Sequence, residues 1–318
     1  MSLLALSALL PIVLGAAPVL EPAVLEQDEY AESFTFIADL DDGTYVQLQL
    51  AVTNLGPGSR TGACRALVVR AGKKPWTAGE RFGAAEWRHT AGEAKERLEI
   101  GPCWAEAGEG LEVRTKLGKA EVRLRYPPQA APVSPPSHTV AVRKREHRTW
   151  LLAPFSRVSA RIALPGQEPL ELAGGGYADH SRGNVAAGKL ARRWLRFRGL
   201  RGSERVLLLA RESLSGGFGP AWIWFEGTEP LSFERFAVKR AGKKKQSQWS
   251  ASLAGGLEGE IVSISQLYRY APVEELGALG WLVAPVVGSP VTYTLRAKLV
   301  VKGRAPVPGI LEVSLLEE

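Results

Sequence analysis

Hydrophobic and polar residues alternate along most of the chain, and this period of two predicts β-strands rather than helices. Two hairpins stand out in the first half. One joins "ESFTFIADL" to "TYVQLQLAVTN" through Asp41-Asp42-Gly43, and the other joins "LEVRTKL" to "AEVRLRY" through Gly118-Lys119. A glycine-containing turn between two alternating runs is typical of an antiparallel hairpin.

The second half of the chain continues the pattern. Its predicted strands are "HRTWLLAPFSRVSARIAL", "RWLRFRGL", "ERVLLLARES", "AWIWFEG", "LSFERFAVKR", "QWSASLAG", "EGEIVSISQLYRY" and "PVTYTLRAKLVVKG". Only "PVEELGAL", near residue 275, predicts a short helical turn. So many antiparallel strands with so little helix predict an all-β protein of barrels or sandwiches, whose apolar interiors can hold a hydrophobic ligand.

A proline-rich segment, "PPQAAPVSPPS", follows the second hairpin. Proline cannot donate a hydrogen bond to a sheet and it stiffens the chain, so the segment predicts a linker between domains. We expect an N-terminal β domain over 28–127, a linker over 128–137 and a C-terminal β domain over 138–318.

The first seventeen residues carry no charged side chain, and they contain an apolar run followed by small residues. The run is short for a membrane span and predicts a signal peptide over 1–17, although no Lys or Arg precedes it. Export to the periplasm or the medium is therefore expected. The alternative is an uncleaved N-terminus that associates with the membrane.

Cys64 and Cys103 are the only cysteines in the sequence. In an exported protein they could form a disulfide that closes a loop of about forty residues. The alternative is two unpaired thiols in a small core. Two Cys and four scattered His match no zinc spacing, so no metal site is expected.

The net charge is +7, but the 40 basic residues are interspersed with 33 acidic ones. This mixture is not typical of a nucleic-acid-binding face, so no nucleic-acid partner is expected. The densest basic run, "KRAGKKKQSQ" at 239–248, is most simply a solvated hairpin tip. A contact with lipid headgroups is the alternative.

Common catalytic motifs are absent from the sequence, including Gly-x-Ser-x-Gly, His-Glu-x-x-His and Cys-x-x-Cys. "GNVAAGKL" approaches a phosphate-binding loop but has Leu190 where that motif needs Ser or Thr. No cofactor is therefore expected.

The stretch "GGGYADHSRGN", at 174–184, concentrates polar groups and glycines. Gly174, Gly175, Gly176 and Gly183 are expected to be structural; the triplet predicts a tight bend or a close backbone approach. In an apolar cavity Asp179 would have a raised pKa and could donate a proton to an alkene, while His180 orients the acid or activates water. The alternative is that Asp179 and His180 only hydrogen-bond backbone groups and lock the bend.

Aromatic and basic side chains near this stretch are candidate ligand contacts, because aromatic faces can stabilise a cation and Arg can hold a polar ligand end. Trp194 and Arg196 share one face of the strand "RWLRFRGL", with a solvent-facing position as the alternative for Arg196. The candidates are Tyr177, Trp194, Arg196, Trp222 and Trp224.

"GGGYADHSRGN" resembles the Gly-x-Gly-Tyr-x-(Asp/Glu)-His-x-x-Gly segment of a lipocalin-like superfamily that includes carotenoid 1,2-hydratases (hydroxyneurosporene synthases), AttH-type proteins and fungal survival-factor proteins. "ESFTFIADLDDGTYVQLQLAVTNLGPG" and "HRTWLLAPFSRVSARIAL" resemble the opening strands of that group's two domains. The resemblance spans about 33–300. Arg182 and Ser181 depart from it, standing where hydratase-type members often have Trp and Asn.

The resemblance implies two tandem lipocalin-like β-barrel or sandwich domains, with a ligand cavity near their junction. Tyr177, Asp179, His180 and Gly183 fall on its motif. The first expected function is binding or carriage of a hydrophobic small molecule such as a lipid or isoprenoid, in connection with oxidative stress. The alternative is an enzyme of hydratase or cyclase type with Asp179 as proton donor. A third possibility is an interaction module that uses the basic hairpin.

Overall fold

A computed structural model describes residues 19–55, 58–136, 138–241, 248–271 and 290–316. Three predictions lie outside these residues: the signal peptide over 1–17, the helical turn near residue 275, and the centre of the basic run, 242–247. Among the described residues, no helix is both long and apolar enough to cross a membrane.

The protein is almost entirely β, as the alternating pattern predicts. The first twelve strands are β1 (Ala31–Leu40), β2 (Tyr45–Thr53), β3 (Thr61–Val69), β4 (Trp76–Phe82), β5 (Trp87–Ala91), β6 (Glu96–Ile100), β7 (Cys103–Ala107), β8 (Leu111–Leu117), β9 (Ala120–Tyr126), β10 (Thr139–Val142), β11 (Arg145–Ala163) and β12 (Leu170–Gly183). The next nine are β13 (Arg193–Gly199), β14 (Val206–Glu212), β15 (Phe218–Phe225), β16 (Leu231–Ser232), β17 (Arg235–Ala241), β18 (Gln248–Ala254), β19 (Gly259–Tyr270), β20 (Pro290–Val301) and β21 (Val307–Leu316). One four-residue helix, α1 (Ala187–Leu190), was not predicted.

Both predicted hairpins are present. β1 and β2 turn at Gly43, whose φ of 88° is a left-handed conformation, and the Asp42 side chain accepts a hydrogen bond from the Thr44 amide at 2.8 Å. β8 and β9 turn at Gly118, whose φ is 59°. Both turns need a positive φ that glycine adopts without a Cβ penalty, which is why these turn residues predicted the hairpins.

The strands form two curled, near-barrel sheets. The first has the order β4-β3-β2-β1-β12-β11-β9-β8-β7-β6-β5, with β10 added beside β11, and the second has the order β16-β15-β14-β13-β21-β20-β19-β18-β17. Each sheet buries its own hydrophobic core. The described residues thus place a cluster of buried hydrophobic side chains inside each barrel.

The strands divide between the sheets later in the chain than predicted. β11 and β12 follow the proline-rich segment, yet they pair with β9 and β1 of the first sheet. The change of sheet falls between Gly183 and Arg193. The predicted boundary at 128–137 is therefore wrong for the sheets, because chain stiffness at prolines says nothing about which strands pair on either side.

Cys64 of β3 and Cys103 of β7 form a disulfide, with their Cα atoms 6.4 Å apart. Both side chains are buried in the core of the first barrel. The crosslink joins strands from opposite parts of the curled sheet, so it holds this barrel together and lies away from the junction between the barrels.

The two barrels meet through the outer faces of their central strands. Along β1, Phe34, Phe36 and Ala38 point into the first core, whereas Ile37 lies in a separate apolar cluster with side chains of the second sheet. β13 repeats this division, since Leu195 and Phe197 enter the second core and the alternate residues face the first sheet. A strand buried on both faces packs one set of side chains into its own core and the alternate set against another sheet. Here the alternate set forms the junction between the barrels.

Candidate functional site

Residues 174–183 of this segment are part of β12 and do not form a bend. None of its glycines has a positive φ, so the prediction of a tight turn is wrong. The glycines instead permit close approach. A Cβ on Gly174 would lie 2.4 Å from the Leu40 Cα, and one on Gly175 would lie 2.1 Å from the Leu200 carbonyl oxygen of the second barrel. The triplet thus lets β12 pack against β1 and against the other barrel.

Gly176 and Gly183 serve the same purpose with other neighbours. A Cβ on Gly176 would lie 2.8 Å from the Tyr126 ring, and one on Gly183 would lie 3.1 Å from the His147 ring. Both glycines make room for aromatic rings. This agrees with the expectation that the glycines permit close approach, and not with the expectation that they adopt a positive φ in a turn.

Asp179 and His180 point to opposite faces of β12, because side chains alternate along a strand. Asp179 is 8% exposed and lines the cavity between the barrels. His180 turns into the first barrel, where its Nε2 lies 2.5 Å from Glu32 Oε1 and its ring stacks on Phe34 at 4.3 Å. The expectation that His180 orients Asp179 or activates water beside it is therefore wrong.

Glu32, the hydrogen-bond partner of His180, is itself held by other buried groups. Tyr30 donates a hydrogen bond to Glu32 Oε2 at 2.6 Å, and the Ala23 amide donates to the same oxygen at 2.8 Å. Burial and the neighbouring Glu32 carboxylate raise the pKa of Tyr30 well above its usual range. This cluster ties the segment before β1 to the barrel, which is a structural role.

A cavity of about 270 Å³ lies between the two sheets, and two rows of paired residues form its opposite walls. The first row crosses β3, β2, β1, β12 and β11 as Arg65, Gln49, Thr35, Asp179 and Leu151. The second crosses β15, β14, β13, β21, β20 and β19 as Trp222, Leu209, Arg196, Glu312, Thr294 and Tyr268. Each row lies on one face of its sheet, so its side chains project into the same space.

Four of the five predicted ligand contacts line this cavity, namely Tyr177, Trp194, Arg196 and Trp222. Trp224 does not line it. Its ring meets Phe155 edge-on at 5.0 Å, and its indole NH donates to the Thr228 carbonyl at 2.8 Å. Trp224 therefore contributes to packing between the barrels, and its assignment as a ligand contact is corrected.

Three charged residues act on the pKa of Asp179, namely Arg198, Arg196 and Glu312. Arg198, 4% exposed, donates to Glu312 Oε2 at 2.6 Å and lies over the Tyr177 ring at 4.6 Å. Burial is the largest single effect and raises the pKa of Glu312, but Arg198, Arg196 and the hydrogen bond from Tyr45 together outweigh it and hold that pKa below its usual range. At Asp179 burial raises the pKa more than Arg198 lowers it, so the pKa of this carboxyl is raised.

His147 is a cavity residue that sequence reasoning missed. Burial, with added repulsion from Arg196 and Arg211, lowers its pKa to about 4, so the imidazole is neutral at ordinary pH. Arg65, Arg198, Glu312, Tyr268 and Tyr270 were missed as well. Alternation shows that such residues share a face, but it does not show that the face meets a second sheet.

The described residues contain no group of three or more His, Cys, Asp or Glu side chains that could hold a metal ion. The cavity lining brings together the carboxyl groups of Asp179 and Glu312, the neutral imidazole of His147, arginines and aromatic faces.

No family model matches the chain, and no curated protein matches it. Solved structures do. A protein of Nitrosomonas europaea provisionally identified as an AttH is similar over 97% of this chain and 100% of its own, at 13% identity and a TM-score of 0.63. Kievitone hydratase from Nectria haematococca is similar over 91% of this chain and 89% of its own, at 11% identity and a TM-score of 0.57.

CghA in complex with Sch210972 covers the same shares of the two chains, at 10% identity and a TM-score of 0.57. The similarity to these three structures establishes the fold, which is two tandem lipocalin-like barrels.

Proposed function

We propose that the protein binds a hydrophobic small molecule in the cavity between its barrels. The observation that carries this is the space of about 270 Å³ between the sheets, walled by Trp194, Trp222 and leucines of both sheets. The volume is near the lower end for a small-ligand site, so it suits a compact ligand or one end of a longer isoprenoid. Apolar walls with a few polar groups are typical of such sites.

Binding can be tested with the neutral fluorescent probe N-phenyl-1-naphthylamine. Leu209 lies on the cavity wall, so Leu209→Trp fills the space and should weaken probe binding by about tenfold or more. The matched control is Ile264→Trp, because Ile264 is 69% exposed and lies outside the cavity lining. Equal probe affinities in the two folded variants would contradict binding at this cavity.

A second candidate function is hydration or cyclisation of an alkene on the bound ligand. Asp179 favours it, because burial raises the pKa of a carboxyl group that faces the cavity. The acid would transfer its proton to one alkene carbon, water would add to the resulting cation, and the carboxylate would take up the proton that the water loses. Kievitone hydratase, which shares the fold, is a hydratase by name.

The chemical step can be followed as oxygen incorporation from H₂¹⁸O into isoprenoid alkenes. We expect product from the wild type, at rates that fall as pH rises through the raised pKa of Asp179, and none from Asp179→Asn. Asp41→Asn is the control, because Asp41 is 58% exposed and pairs with Arg157 outside the cavity. Probe binding without product in the wild type would leave binding alone as the function.

We further propose membership of the lipocalin-like superfamily of carotenoid 1,2-hydratases and survival-factor proteins. The fold and the segment at 174–183 support it. A link to oxidative stress, export by a signal peptide, and contact of the basic hairpin with a membrane surface stay predictions from the sequence.

A further inference from the structure

One end of the cavity is cationic. Arg65 enters from the first sheet and reaches the second, where it donates to the Tyr268 hydroxyl at 3.2 Å. Its guanidinium lies 3.4 Å from the centre of the Tyr270 ring. The two tyrosines hold this cation at the cavity wall without neutralising it.

The cavity contains more positive than negative charge. Arg198 is matched by Glu312, whereas Arg65 and Arg196 make no ion pair with a carboxylate among the described residues. Arg196 lies over the Trp194 ring at 5.0 Å. The charge of Arg196 acts on His147, where it adds to the effect of burial in lowering the pKa of the imidazole. The remaining carboxyl group, Asp179, is the one that burial makes harder to ionise.

The paired rows give the cavity a direction. In the first sheet Arg65 is separated from Asp179 by Gln49 and Thr35, and Leu151 follows Asp179. Three interstrand spacings correspond to about 14 Å between the Arg65 and Asp179 backbones. In the second sheet the row runs from Tyr268 to Leu209 and Trp222. Both rows are therefore polar at one end and apolar at the other.

We propose that the ligand is an amphipathic organic acid whose anionic group binds Arg65 and whose apolar end lies against Leu151 and Trp222. This inference rests on the proposed binding function and specifies its ligand class. It places the apolar part of the ligand beside Asp179, where an alkene would have to lie to accept a proton.

The inference can be tested with two probes that differ only at the head group, decanoate and 1-decanol. Their binding is measured by quenching of tryptophan fluorescence at pH 8, where the carboxylate is ionised. The wild type should bind decanoate at least about tenfold more tightly than decanol, since only the anion can form an ion pair with the Arg65 guanidinium. Arg65→Gln should abolish this preference, with a larger loss of affinity for decanoate than for decanol.

Two variants separate ligand binding from the contact that Arg65 makes between the sheets. Arg65→Lys keeps the charge and should keep a preference for decanoate. Arg157→Gln removes an exposed arginine outside the cavity and should change neither affinity.

Three results would overturn the inference. Equal affinities of the wild type for the two probes would overturn it and leave the binding function standing. A decanoate preference that survives in Arg65→Gln would overturn the role of Arg65. Failure of the wild type to bind either probe, with N-phenyl-1-naphthylamine also unbound, would overturn the inference together with the proposed function.

Discussion

Residues that are adjacent in a strand lie in different surroundings, as Asp179 and His180 show. Asp179 faces a cavity beside arginines, whereas His180 is buried in the first barrel against Glu32. A strand turns adjacent side chains to opposite sides, so residues that are adjacent in a motif do not share a site. Asp179 instead shares the cavity with Tyr177, two residues earlier on the same face of the strand, and with arginines from other strands.

His147 provides a prediction at the residue scale. Its pKa is lowered to about 4 by burial and by Arg196 and Arg211, so the folded state binds a proton less readily than the unfolded state. The stability that this neutral imidazole contributes is present above about pH 6.5 and is lost as pH falls toward 4. His147→Gln, which cannot be protonated, should lose less stability over that range, by on the order of 2 kcal/mol after partial exposure is discounted.

The measurement is urea unfolding of wild type and His147→Gln at pH 7 and pH 4. The difference in free energy of unfolding between the two proteins should change with pH, because only the wild type must protonate the buried His147 imidazole. Parallel losses of stability in the two proteins would show that His147 does not contribute to acid sensitivity.

At the scale of elements, β12 is the strand on which the site depends. It pairs with β1 and β11 along its length, and its glycines allow the second barrel to approach its backbone. The result is a strand buried on both faces, with Tyr177 and Asp179 on one side and Ala178 and His180 on the other. Small residues at the triplet determine the distance between the barrels.

Gly175→Ala tests this role of β12. The new methyl group would lie 2.1 Å from the Leu200 carbonyl oxygen, a backbone atom that cannot move aside without shifting the second barrel. We expect destabilisation of about 1–3 kcal/mol and weaker probe binding at the cavity. Gly79→Ala is the matched control, because its Cβ would meet its nearest neighbour at an ordinary 3.6 Å. Equal unfolding midpoints for the two variants would argue against a close approach at Gly175.

At the scale of the whole molecule, the cavity lies at a junction that combines the apolar cluster around Ile37 with buried polar contacts between the barrels. Asp39 of the first sheet accepts a hydrogen bond from Arg296 at 2.6 Å and pairs with Arg201 at 3.1 Å, and it is fully buried. Tyr45 reaches across to Glu312 at 3.4 Å. Buried charges need partners, and here the partners lie on the opposite barrel, so these contacts also fix how the barrels are oriented.

The sequence alone was sufficient to predict the all-β class, both hairpins and most of the later strands, because alternation and turn glycines act over a few residues. It also identified Tyr177, Asp179, Trp194, Arg196 and Trp222, which line the cavity.

Only the tertiary structure determined which strands form each sheet, the direction in which His180 points, and the position of Arg65 opposite Tyr268. These features depend on pairings between residues that are far apart in the chain. Local periodicity assigns a side chain to one of two faces, but the structure that covers that face is decided by how the whole chain packs.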